Sequence, residues 1–83
     1  MANRTEASVL LELQPIFAGV LDEPGLTVTR GSSASNTPNW DSLAHIELIE
    51  TVERHFKVRF SLKELQNVKE VGDLVDLVLA KSN

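Results

Sequence analysis

The 83-residue sequence contains no cysteine. That removes disulfide staples and thiolate zinc sites from consideration and suits a reducing compartment. It also lacks any apolar run approaching the roughly 20 residues that a membrane helix needs. The opening Met1-Ala2-Asn3-Arg4-Thr5 has no apolar centre of the signal-peptide kind. A cytoplasmic protein with no membrane insertion is the expectation. No run of Lys or Arg occurs, and eight basic against twelve acidic residues leave a net charge of −4. Nucleic acid is therefore not an expected partner, whereas a basic patch on another protein would suit that charge. There is no phosphate-cradling glycine loop, no dinucleotide fingerprint and no G-x-S-x-G elbow.

What is present fits one small globular domain spanning residues 1–83, with 42% hydrophobic and 24% charged residues. A monomer is expected. In the first segment Val9, Leu10, Leu13, Ile16, Phe17, Val20 and Leu21 recur at steps of three and four, which places them on one helical face. Asn3 and Glu6 have the spacing of a capping box, so this helix is predicted to start near Arg4 and to end before Pro24-Gly25. Pro15 predicts a local kink rather than a break, since it falls away from the apolar stripe. From Leu26 to Asn39 the composition turns to Thr, Ser, Asn, Gly and Pro, a loop of the length that is usually functional or mobile.

A second helix is predicted from Ser42 to Phe56, with Asp41 as its N-cap. Leu43, Ile46, Ile49, Val52 and Phe56, widened by Leu48, form its expected apolar stripe, with Glu47, Glu50 and Glu53 opposite. Val58 and Phe60 alternate but are too few for a strand. Ser61 and Glu64 form a capping box for a short helical turn ending near Asn67, and Val71 to Ala80 carries a last amphipathic helix. Gly72 is best placed near its first turn. The predicted fold is all-α, a small bundle of three main helices plus a short helical turn, with a long loop between the first and second helices.

Ser42 at a helix start can cap the helix, attack a substrate or accept a covalent group. Nucleophilic attack needs an oriented base. His45 is near in sequence, but nothing in the sequence orients it. His45 and His55 are too far apart along one helix to share a metal ion, and no metal site is expected. A solvated helix face accounts for the three glutamates, and packing accounts for Trp40. On chemistry alone the reading stops at a small acidic helical domain with a serine at a helix start.

The whole arrangement resembles the acyl carrier protein family. Asp41-Ser42-Leu43 matches that family's D-S-L attachment motif, following a long loop and opening the second helix. Val71-Gly72-Asp73-Leu74-Val75 is similar to a run in its last helix. The resemblance implies a non-catalytic carrier. Ser42 would be esterified by 4'-phosphopantetheine, donated from coenzyme A by a phosphopantetheinyl transferase, with acyl groups riding as thioesters. It also implies partner recognition by Asp41, Glu47, Glu50 and Glu53, toward acyl-loading, condensing or acyl-transfer enzymes of fatty acid, polyketide or related specialised biosynthesis.

The chain departs from that pattern in places. Many fatty-acid-synthesis carriers have glycine shortly before D-S-L, where this chain has Asn39-Trp40, a tryptophan more like that of specialised carriers. Ala44 and Arg54 stand where acidic residues are common, and Arg54, Lys57, Arg59 and Lys63 make the following region basic. The competing readings are a peptidyl carrier for aminoacyl groups, an unmodified helical interaction module, and a serine hydrolase.

Overall fold

The computed structural model describes residues 4–82. Four helices follow one another: α1 (Glu6–Val20), α2 (Ser42–Phe56), α3 (Leu62–Gln66) and α4 (Val71–Ser82). The all-α expectation holds, and the short helical turn is α3. Asn3 lies outside the described residues. The N-cap of α1 is instead Thr5, whose side chain accepts from the Ser8 amide while Ser8 Oγ accepts from the Thr5 amide. The helix thus starts later than predicted. It runs unbroken through Pro15, which is exposed. Asp22, left-handed at φ 54°, closes α1, with the Glu23 amide donating to the Ala18 carbonyl as the helix unwinds.

The core is one cluster. Val9, Leu13 and Phe17 of α1 meet Leu48, Ile49, Val52 and Phe56 of α2 and Val71, Leu74, Val75 and Val78 of α4. Accordingly α1 packs against both α2 and α4. Val28, Trp40, Val58, Phe60 and Val68 fill in from the connections. The helix α3 buries no residue completely. Its Ser61–Glu64 capping box forms as the spacing predicts, and Lys81 of α4 lies 3.0 Å from Glu64.

Two residues assigned to the α2 stripe are not in the core. Leu43 is 69% and Ile46 57% exposed. The reason is geometric: a step of three residues advances 300° on a helix, so a run of such steps drifts 60° each time. Leu43, Ile46, Ile49 and Val52 therefore wind half-way round α2. The two early positions share the solvent face with Glu47 and Glu50, and Leu48 takes their place inside.

The long loop is tied down at several points. Gln14 of α1 donates to the Val28 carbonyl and accepts from its amide, both at 2.8 Å. Arg30 reaches Glu6 at 3.1 Å and Asp76 at 3.2 Å, linking α1 to α4 across the loop. The loop carbonyls of Ser32 and Arg30 receive the amides of Val71 and Gly72, the first two residues of α4. A Cβ on Gly72 would lie 3.1 Å from the Arg30 carbonyl oxygen and from its guanidinium, so any larger residue would require the loop at Arg30 to give by a few tenths of an ångström.

Asp73 Oδ2 accepts from the amides of Lys69 and Glu70 at 3.0 and 3.1 Å, which caps the start of α4. Those two bonds hold its carboxyl below the usual aspartate range. Glu64 is lowered likewise, by the Ser61 amide first and by Lys81. Both groups titrate lower folded than unfolded, so their stabilisation is complete above the unfolded value near ~4 and is lost as pH falls through the folded value. Urea unfolding from pH 7 to pH 3 should show stability falling on the acid side. Asp73→Asn should flatten part of that fall, and an acid limb parallel to the wild type's would remove Asp73 from the account.

Candidate functional site

The end of the long loop and the start of α2 form the site. Asn39 occupies the left-handed region at φ 65°, and its Nδ2 donates to the Leu21 carbonyl at 2.9 Å and to Glu23 Oε1 at 3.1 Å. Asparagine tolerates this conformation better than any residue except glycine. The departure at Asn39 is therefore conformationally mild. Asn39→Ala loses both hydrogen bonds and leaves a plain Cβ in a strained region, and is expected to cost on the order of 1–3 kcal/mol. Asn39→Gly should cost less. Thermal melts of the two variants would show the order, and equal losses would contradict a conformational role.

Trp40 is buried, its ring 5.2 Å from that of Phe17 in an edge-on arrangement. Its Nε1 donates to His45 Nδ1 at 3.2 Å, and the two rings stack at 6.1 Å. Since an indole N–H is only a donor, Nδ1 of His45 is the unprotonated nitrogen and the neutral ring carries its proton on Nε2. The residue that the sequence left unoriented is thus oriented, by Trp40 and from the neighbouring turn.

Asp41 is the N-cap. One carboxylate oxygen accepts from the Ala44 amide at 2.8 Å, and the Asp41 carbonyl receives the His45 amide. Ser42, the first residue of α2, is exposed, and among the described residues its hydroxyl has no hydrogen-bond partner. The question posed by the sequence is answered here: the helix is capped by Asp41, which leaves the Ser42 hydroxyl uncommitted. The amides of Ser42 and Leu43 are also without partners among the described residues, so a negative group on Ser42 would meet the favourable end of the helix dipole. That is a fit for a phosphodiester. It is a poor fit for hydrolysis, because the Nδ1 of His45 is already engaged and, among the described residues, no carboxylate supports the ring.

The remaining residues singled out from the sequence separate into two groups. Glu47 and Glu50 are exposed on the face shared with Leu43 and Ile46. Glu53 is partly buried, and its carboxylate accepts from the Phe60 amide at 2.8 Å, which fastens the α2–α3 turn. Sequence reasoning missed Leu43 and Ile46 as surface residues, and the drift of their three-residue spacing was the available signal. Ile46 and Ile49 of α2 face Phe60, Leu62 and Leu65 across an open groove of about 530 Å³, with His45, Glu50 and Arg59 also lining it. Leu62 is 74% exposed. His55 pairs with Glu12 at 3.0 Å, and among the described residues no cluster of three or more His, Cys, Asp or Glu could hold a metal ion.

The domain thus caps its second helix with aspartate and leaves the next serine exposed and uncommitted. Comparison with known proteins names the family. No protein-family model matches the chain. It is 33% identical over 70 residues to the acyl carrier protein of Coprothermobacter proteolyticus, covering 84% of this chain and 85% of that one. An acyl carrier protein homolog of Mycoplasmopsis pulmonis is 40% identical over 42 residues, covering 51% of this chain and 58% of the other. The solution structure of holo acyl carrier protein from Geobacter metallireducens matches with a TM-score of 0.81 and 49% identity, over 87% of this chain and 83% of that one. The chain belongs to the acyl carrier protein family. It is accordingly a carrier rather than a catalyst.

Proposed function

We propose that Ser42 is the attachment point of a 4'-phosphopantetheine arm and that the protein presents acyl intermediates on it to partner enzymes. The observation that carries this reading is the exposed, uncommitted Ser42 hydroxyl at the start of α2 beside an aspartate that already caps the helix. The arm supplies the thiol that the cysteine-free chain lacks, and with it the capacity to hold an acyl group as a thioester. The protein's own residues hold the attachment point rigid through the Asp41 cap and the Trp40 anchor. They also offer the first-turn amides to the phosphodiester.

An acyl cargo is supported by the apolar groove between α2 and α3, walled by Ile46, Ile49, Phe60, Leu62 and Leu65. Exposed Asp41, Glu47 and Glu50 suit transient, salt-sensitive docking on basic surfaces of a phosphopantetheinyl transferase and of loading, condensing or acyl-transfer enzymes. Glu53 shares less in this, since its carboxylate fastens the turn. Trp40, directly before D-S-L, favours a specialised route of fatty acid, polyketide or related biosynthesis; a cytoplasmic monomer is part of the same reading.

Incubation with coenzyme A and a promiscuous phosphopantetheinyl transferase should add one pantetheinyl group by intact mass. Failure of the folded protein to gain it would sink the proposal. Adenylating enzymes that load amino acids rather than acyl groups onto the arm would point instead to a peptidyl carrier.

A further inference from the structure

The segment 54–63 holds four of the chain's eight cations, Arg54, Lys57, Arg59 and Lys63, and none of its twelve carboxylates. It carries +4, which leaves −8 on the remainder. All four side chains are exposed, and none has an ion-pair partner within 4.0 Å among the described residues. The carboxylates spaced to neutralise them do not do so. Glu53, one turn before Lys57, is committed to the Phe60 amide, and Glu50 makes no pair with Arg54. The C-terminal end of the α2 dipole favours Arg54 and Lys57. It does not account for Arg59 in the connection or for Lys63 on α3.

Two further features mark this region as a contact surface. Arg54, Lys57 and Arg59 line an open hollow of about 490 Å³ at the α2–α3 turn, with Val58 and, on its α2 side, the carboxylate residues Glu50 and Glu53. Lys57 places its cation there from a left-handed backbone position, φ 58°, where glycine or asparagine would be less strained. Beside the hollow stand Leu62 and Ile46, apolar and more than half exposed. Charged side chains around exposed apolar anchors match the rim and centre of a transient protein interface.

We propose that this surface docks an acidic patch on a partner protein, so that the exposed side of α2 is bipolar. Its first half presents Asp41, Glu47 and Glu50, and its end runs into the four cations. Arg54 lies twelve residues beyond Ser42, about 18 Å along the helix. That separation exceeds the screening length of about 8 Å at physiological salt, so the Asp41 end and the cationic end are screened from each other, while Glu50, one turn before Arg54, marks the boundary between them. A partner carrying basic residues near the entry of the arm and acidic residues about 18 Å away would seat the carrier in one orientation and repel the reverse. A nucleic acid or an anionic bilayer matches the cations but not the adjoining glutamates, which such a polyanion would repel. The inference goes beyond the carrier reading and holds whether or not Ser42 is loaded.

The test is titration of the full-length protein, followed by amide NMR shifts, with four probes: an amphipathic Glu/Leu helical peptide, its Lys/Leu counterpart, an RNA duplex, and vesicles containing anionic lipid. The Glu/Leu peptide should shift residues 54–63 and Ile46, and the Lys/Leu peptide should shift Glu47 and Glu50. Arg59→Glu combined with Lys63→Glu should weaken the Glu/Leu peptide by roughly tenfold and strengthen the Lys/Leu peptide. Melting curves check the fold, with Arg54→Gln combined with Lys57→Gln as a milder second variant. Unchanged affinity for the Glu/Leu peptide in both folded variants overturns the proposal. So does tighter binding of the segment to the duplex or the vesicles than to the peptide. Intact-mass loading of the same variants is a separate readout, so a failed docking test leaves the attachment at Ser42 standing.

Discussion

Ser42→Ala should abolish the pantetheinyl mass gain entirely while shifting the unfolding free energy by no more than about 0.5 kcal/mol. The two halves of this expectation have different origins. Loss of the adduct follows from removing the hydroxyl that must bond to phosphorus. The other serines whose side chains are described, Ser8, Ser61 and Ser33 among them, have their hydroxyls in hydrogen bonds at capping or loop positions. The near-neutral stability follows from Asp41, whose carboxylate already takes the Ala44 amide. Asp41→Ala should behave in the opposite manner, losing about 1 kcal/mol as caps generally do while keeping the hydroxyl to be modified. Intact mass and urea unfolding of both variants decide the matter. An adduct that survives Ser42→Ala places the attachment elsewhere, and a stability loss as large as that of Asp41→Ala would make Ser42 a structural residue after all.

Phe17→Ala should be the most destabilising single truncation, costing on the order of 3–5 kcal/mol. A domain of this size has a total stability of only roughly 4–12 kcal/mol, so the variant is expected to be marginal at room temperature. Phe17 is fully buried, is among the largest fully buried side chains, and sits where α1 supports Trp40. Deleting its ring opens a cavity under the indole and removes the edge-on contact that holds it. The damage should therefore reach the attachment site, because Trp40 lies two residues before Ser42 and anchors His45 one turn into α2. Phe17→Leu keeps most of the volume and should lose much less. Urea unfolding followed by circular dichroism tests both, and a loss below about 1 kcal/mol for the alanine variant would show that the core does not turn on this residue.

Helix positions were largely legible because their signals are local. The Asp41 cap, the Ser61–Glu64 box and the start of α4 at Val71 depend on residues within one turn of each other, and each formed where its spacing put it. The start of α1 was misplaced by two residues for the same kind of reason. Thr5-x-x-Ser8 is a weaker pattern than Asn3-x-x-Glu6, yet Thr5 is the residue that caps the helix. D-S-L in its setting was legible as a resemblance, and the family it pointed to is the one to which the chain belongs.

The sequence by itself determined an all-α domain, the order and approximate ends of its helices, and the serine that opens the second. Only the tertiary structure decided that Leu43 and Ile46 face solvent beside Glu47 and Glu50, and that Glu53 serves the turn. Only it showed the long loop held by Gln14 and Arg30 to helices distant in sequence. The physical reason is range. Capping and helical periodicity are settled within a turn, whereas burial and hydrogen-bond partnership depend on which surfaces the chain brings together. For Ser42 the local side is decisive, since what leaves its hydroxyl uncommitted is the carboxylate of its neighbour closing on Ala44 within the same turn.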